Sequence, residues 1–70
     1  MKLTVDREAD ALYLKLKEGR IAHTKEVGDG IILDLGDNDE LIGIEILWLS
    51  DRVPSEALAN LNIELAGTPK

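Results

Sequence analysis

Large aliphatic residues recur at every second position in two stretches, residues 11–17 (ALYLKLK) and 30–48 (GIILDLGDNDELIGIEILW), and this alternation constrains the fold more than any other feature of the chain. Leu12, Leu14 and Leu16, then Ile31, Leu33 and Leu35, then Ile42, Ile44 and Ile46 each fall on one side of an extended segment, because successive side chains of a strand point to opposite faces. A period of two reads as β-structure. No stretch has the spacing of a catalytic or cofactor site, so no catalytic residue and no cofactor is expected.

Seventy residues make one domain, expected over residues 1–66 with residues 67–70 as a frayed tail. A chain of this size buries about 60% of the surface its unfolded form exposes. With no cysteine to form a disulfide or a thiolate–metal site, the aliphatic strands must hold the fold together alone or with a second copy of the chain, and a homo-oligomer is expected. No apolar run approaches the roughly 18 residues of a membrane span, which points to the cytoplasm and away from a membrane. Fourteen acidic against eight basic residues give a formal charge of -6; this repels a phosphate backbone and argues against direct binding of nucleic acid. An acidic balance would suit a basic protein partner, although a solvated acidic surface is the commoner explanation.

Along the chain, residues 2–5 form a short extended segment, and Asp6, Glu8 and Asp10 crowd a polar link whose carboxylates can bond nearby amides and close a hairpin turn into residues 11–17. Gly19 suits the reversal that follows. Residues 20–27 have no clearly apolar side, with Ile21, His23, Lys25 and Val27 on one face and Ala22, Thr24 and Glu26 on the other, the pattern of an edge strand. Gly28-Asp29-Gly30 is a turn, residues 31–35 a fourth strand, residues 36–40 a turn that tolerates left-handed backbone, and residues 41–47 a fifth strand. Placing Leu35 opposite Ile42 sets Leu33 against Ile44 and Ile31 against Ile46 on one face. On the other face it sets Asp34 against Gly43 and Ile32 against Glu45. Pro54 followed by Ser-Glu-Ala-Leu-Ala-Asn predicts a short helix. Leu61, Ile63 and Leu65 alternate with Asn62 and Glu64 and predict a last strand that could close the sheet or pair with a neighbouring molecule.

Few residues are candidates for chemistry. Asp6, Glu8 and Asp10, and likewise Asp37, Asn38, Asp39 and Glu40, offer oxygen ligands, but neither group has the alternation, glycine and distant glutamate of a calcium loop, and turn chemistry accounts for both; no metal is expected. His23 is the sole imidazole and has no serine or cysteine at motif spacing. Asp34 and Glu45 are brought onto one face of adjacent strands beside Gly43, which leaves room above the backbone, and paired carboxylates can act as acid and base. The alternative is a wet sheet face. Yet Tyr13, Ile32, Leu47 and Leu49 share that side by parity, which makes it too apolar to face water throughout; Tyr13, Ile32, Asp34, Glu45, Leu47 and Leu49 are therefore the candidate interaction face, expected to meet the helix or another subunit. Trp48 lies by parity with Ile42, Ile44 and Ile46 and is expected in the core.

The blocks DREADALYL (residues 6–14), VGDGIILD (residues 27–34) and LIGIEIL (residues 41–47) resemble the small prokaryotic family known as domain of unknown function 2283. The likeness covers residues 2–52. It departs from the family pattern where Asp39-Glu40 stands in place of the usual Asp-Gly turn before the GIEIL strand. The resemblance implies a compact, mostly antiparallel β domain without an established activity; some members look like the smaller partner in two-gene arrangements with a toxin-like protein. Taken together, the expectation is an α+β protein, mostly β: an antiparallel meander of about five strands with a short C-terminal helix and a sixth strand at residues 61–65. In function the expectation is a non-enzymatic interaction domain that self-associates or binds a protein partner. The alternatives are an antitoxin-like neutraliser of a toxin-like protein and a small enzyme using Asp34 and Glu45.

Overall fold

The computed structural model describes residues 1–69, so that Lys70, part of the expected tail, lies outside the described residues. Strands β1 (Lys2–Asp6), β2 (Ala11–Lys15), β3 (His23–Gly28), β4 (Ile31–Leu35) and β5 (Leu41–Ile46) precede one helical turn, α1 (Leu49–Arg52), and a 3-10 turn (Ser55–Ala59). All strand pairs are antiparallel, and the sheet order is β1-β2-β5-β4-β3. The five-stranded, mostly β architecture is as expected, but the connectivity is not that of a meander throughout. β3, β4 and β5 follow one another, whereas β2 pairs with β5 and the chain then crosses the end of the sheet to reach β3 at the far edge. Side-chain chemistry favours this order. It lines up Leu3, Leu14, Ile44 and Leu33 in one row and Val5, Leu12, Ile46 and Ile31 in the next, whereas a β2–β3 pair would set His23 and Lys25 in the middle of the sheet instead of at its edge.

The crossover also corrects the hairpin register. Leu33 faces Ile44, Ile31 faces Ile46, Asp34 faces Gly43 and Ile32 faces Glu45, as the alternation predicts, but Leu35 faces Leu41 and not Ile42. Ile42 is the extra residue of a β-bulge. Its carbonyl accepts the amides of Leu16 at 2.8 Å and Lys17 at 3.4 Å, and Gly19 passes so close that a Cβ there would lie 2.8 Å from Ile42 Cδ1. Ile42 is thereby the most completely covered large side chain, 1% exposed. The crossover is pinned further by the Ala22 amide on the Leu35 carbonyl, 2.8 Å, and by Arg20 on Asp37, 2.7 Å. These anchors delay β3 until His23, three residues later than its sequence pattern starts.

Beyond β5, Trp48 adopts a left-handed conformation, φ 51°, which ends the strand and turns the chain into α1. The helix expected over residues 54–60 is a 3-10 turn after an extended Pro54. The sixth strand is absent: among the described residues, those from 60 to 66 form no regular secondary structure, with no strand partner and no backbone hydrogen bond to another segment. Their sequence has strand periodicity, but they pair with the free side of neither edge strand, β1 nor β3. Among the described residues, no helix is long and apolar enough to cross a membrane.

Candidate interaction surfaces

The adjacency of β2, β5 and β4 assembles Tyr13, Glu45, Ile32 and Asp34 on one face, with Tyr13 opposite Glu45 and Gly43 opposite Asp34. Tyr13 leans diagonally across Gly43 and its hydroxyl donates to Asp34 Oδ2 at 2.7 Å. The glycine is required by this approach, since a Cβ at residue 43 would lie 2.6 Å from Tyr13 Cζ and in collision with its hydroxyl oxygen. The hydrogen bond to Asp34, then burial, then the negative charges of Asp34 and Glu45 push the phenol up to about 12. The room above Gly43 is thus filled by Tyr13, and Asp34 is engaged as an acceptor. The rest of this face is polar: Thr4 and Glu26 complete the Tyr13 row, and Lys2, Lys15 and Thr24 the Asp34 row.

Leu47 lies two residues beyond Glu45 on the chain, and its amide donates to the Gly30 carbonyl at 2.8 Å. Leu49 does not join the candidate face. The left-handed Trp48 reverses its direction, and Leu49 is buried beside Leu12, Ile31 and Ile46 of the opposite face. The helical segment, one of the two covers expected for the Tyr13 side, folds over the aliphatic side instead, where burial of apolar surface is available. Trp48 is not a core residue either. It is half exposed, lies against Gly30 and has the Arg52 guanidinium 6.0 Å from its ring centroid.

The aliphatic face is incompletely covered. Leu3, Val5, Leu12, Leu14, Ile31, Leu33, Ile44 and Ile46 all belong to it, and none is buried; Ala11, Ile42 and Leu49 are the aliphatic side chains that are. A groove of about 330 Å³ runs between Val5, Leu12, Ile31 and Ile46 on the sheet and Val53, Leu58 and Leu61 of the C-terminal segment. A second, about 530 Å³, separates Leu3 and Leu14 from Leu61 and Ile63. This unfilled space marks a layer resting loosely on the sheet.

The acidic groups are turn chemistry. Asp6 Oδ1 accepts the amides of Glu8 and Ala9, each at 3.0 Å. Asp10, in left-handed backbone at φ 55°, accepts the Ser50 amide at 2.9 Å and its hydroxyl at 2.7 Å, tying the first hairpin to α1. Asp37 pairs with Arg20 and Asp39 with His23 at 3.0 Å. Glu40 is held below the usual carboxylate range by its own backbone amide and that of Asn38. Among the described residues no group of three or more histidine and carboxylate side chains is arranged to hold a metal ion. Two contacts have no local sequence signal: Asp10 with Ser50, forty residues apart, and Arg52, which donates from Nε to the Leu47 carbonyl at 2.8 Å and from Nη2 to the Asp29 carbonyl.

Fold and surfaces define a small β domain with one polar and one aliphatic sheet face. A family model described as a protein of unknown function (DUF2283) matches residues 2–50, and the chain belongs to that family. The matched segment contains the whole sheet and ends within α1, so that the extended C-terminal segment lies beyond it. Comparisons with curated proteins and with solved structures gave no match.

Proposed function

We propose that this chain is a non-catalytic, cytoplasmic interaction domain whose aliphatic sheet face is covered by a protein partner, and that the partner is a second copy of the chain. The observation that carries the reading is exposed area. A self-contained monomer of 7.7 kDa exposes about 4,300 Å², whereas this chain exposes 5682 Å². The excess, about 1,400 Å² per chain, is the size of one subunit's share of a large homodimer interface. The exposed aliphatic side chains include Leu3, Leu61, Ile63 and Leu65, which a second copy can match, because a two-fold interface sets the same patch against itself.

An acid–base role for Asp34 and Glu45 is less well supported, since the Tyr13 phenol occupies Asp34 and the grooves of the molecule are lined mainly by aliphatic side chains. Sedimentation velocity of the full chain at micromolar concentration tests the proposal. A dimer mass is expected; a monomer persisting to high concentration would remove self-association from consideration.

A further inference from the structure

The segment after the 3-10 turn has the pattern of a strand but not the packing of one. Leu61, Ile63 and Leu65 alternate with Asn62 and Glu64 in the sequence and are 67%, 70% and 94% exposed. Leu61 and Ile63 stand beside Leu3 and Leu14 of their own sheet across an open groove of about 530 Å³. The segment's backbone has no partner among the described residues. A strip of mostly exposed aliphatic side chains beside a half-covered aliphatic sheet face is the arrangement expected when part of the proper contact of each lies on another molecule.

We infer that residues 61–65 form an exchanged arm, each copy of the chain laying its Leu61, Ile63 and Leu65 across the aliphatic face of a second copy. This rests on the self-association reading and specifies how it is achieved. The spacing fits. Alternate residues of an extended arm stand about 6.7 Å apart, the same repeat that separates successive side-chain rows along a strand. An arm aligned with the partner's strands therefore sets its aliphatic groups in register with the Leu14–Ile44 row and the neighbouring Leu12–Ile46 row, at the layer distance of about 10 Å typical of packed sheets. Asn62 and Glu64 point away from that contact, into water. The exchange is reciprocal and closes on itself, so two copies satisfy both arms and both faces.

The test compares the full chain with two variants, one ending after Asn60 and one carrying Leu61→Asp, Ile63→Asp and Leu65→Asp. Because these side chains are already mostly exposed, neither variant should lose its sheet signal in circular dichroism. Both should dissociate about a hundredfold or more readily than the full chain in sedimentation equilibrium, as removal of three apolar anchors requires. Isotope-filtered NMR on a mixture of labelled and unlabelled full-length chains supplies a readout independent of the variants. Cross-peaks are expected between the arm methyls of one chain and the Leu12, Leu14, Ile44 and Ile46 methyls of the other. If the full chain is a monomer, the self-association reading fails and the arm with it. If the full chain is a dimer and both variants dimerise as tightly, the arm is overturned while the dimer stands. Filtered cross-peaks from the arm to any other surface overturn it as well.

Discussion

Tyr13 spans three strands, and what it does there depends on an absence. The phenol reaches from β2 over Gly43 of β5 to Asp34 of β4, a path open because residue 43 has no side chain. Glycine inside a strand ordinarily costs about 0.5–1 kcal/mol relative to alanine, so Gly43→Ala taken alone ought to stabilise. Here the new methyl group displaces the ring and breaks its bond to Asp34, and the expected result is a loss of about 1–3 kcal/mol in chemical denaturation. In a Tyr13→Ala background the same substitution should become neutral or stabilising. That reversal of sign, read from a double-mutant cycle, is the check; equal effects in both backgrounds would mean that the ring does not need the glycine. The same hydrogen bond predicts a pH dependence. Tyr13 is raised from 10.0 to about 12 because its neutral form donates to Asp34 while half-buried beside two carboxylates. A proton held more tightly in the folded state stabilises fully below pH 10, and that contribution is lost as pH rises from 10 towards about 12. The comparison is with Tyr13→Phe, which differs only in the hydroxyl. Urea unfolding at a series of alkaline pH values should show the wild type losing its advantage over that variant across this window, and parallel curves would deny the bond a role.

Among the elements, the β4–β5 hairpin follows most directly from the sequence. Two alternating aliphatic strands and a short turn rich in residues that tolerate left-handed backbone leave one register that stacks Leu33 on Ile44 and Ile31 on Ile46, and those pairs form. Ile44→Ala should cost about 2 kcal/mol, the low end of the range for truncating a core isoleucine, because the face it belongs to is half covered. Differential scanning calorimetry measures this, and a negligible loss would show that the row does not pack. The bulge at Ile42 was not legible, because it answers to a crossover loop more than twenty residues earlier in the chain, and alternation carries no information about what passes over a strand's end. Strand order was hidden for a related reason. Local patterning shows that residues 20–27 suit an edge, but which edge depends on whether β2 finds β3 or β5, a choice made by rows of side chains from four strands together. The direction of the chain after β5 turned on one dihedral angle: Trp48 at φ 51° sends Leu49 to the aliphatic side and leaves its own ring on Gly30 and Arg52. Parity arguments end where such a residue begins. The assembly of Tyr13, Asp34, Glu45 and Ile32 on one face was legible, since parity and register suffice for it; that Tyr13 would fill the space above Gly43 was not, because a diagonal reach depends on a rotamer.

At the scale of the whole molecule the extents of 36 × 32 × 19 Å describe a single layer with a loose second one. Its radius of gyration, 13.6 Å, exceeds the roughly 11 Å of a compact chain of this length. A sheet of this shape gains stability by doubling its thickness. If a second copy supplies the missing layer, binding stabilises the folded form by mass action, and the thermal midpoint should rise as protein concentration is raised. Salt then separates self-association from capture of a basic partner. Two copies of this chain each carry a formal charge of -6, so their long-range interaction is repulsive and opposes an attraction that is apolar. Screening shortens the reach of that repulsion from about 30 Å at 0.01 M salt to about 8 Å at 0.15 M, while the aliphatic contact is not weakened by salt. The dimer should therefore tighten as salt is added over this range, measured as a falling dissociation constant in sedimentation equilibrium. A complex with a basic protein must show the opposite trend, because there the charges attract and screening removes part of the affinity. Dissociation of the homodimer on adding salt would mean that ionic contacts hold the copies together and that the aliphatic face is not the interface.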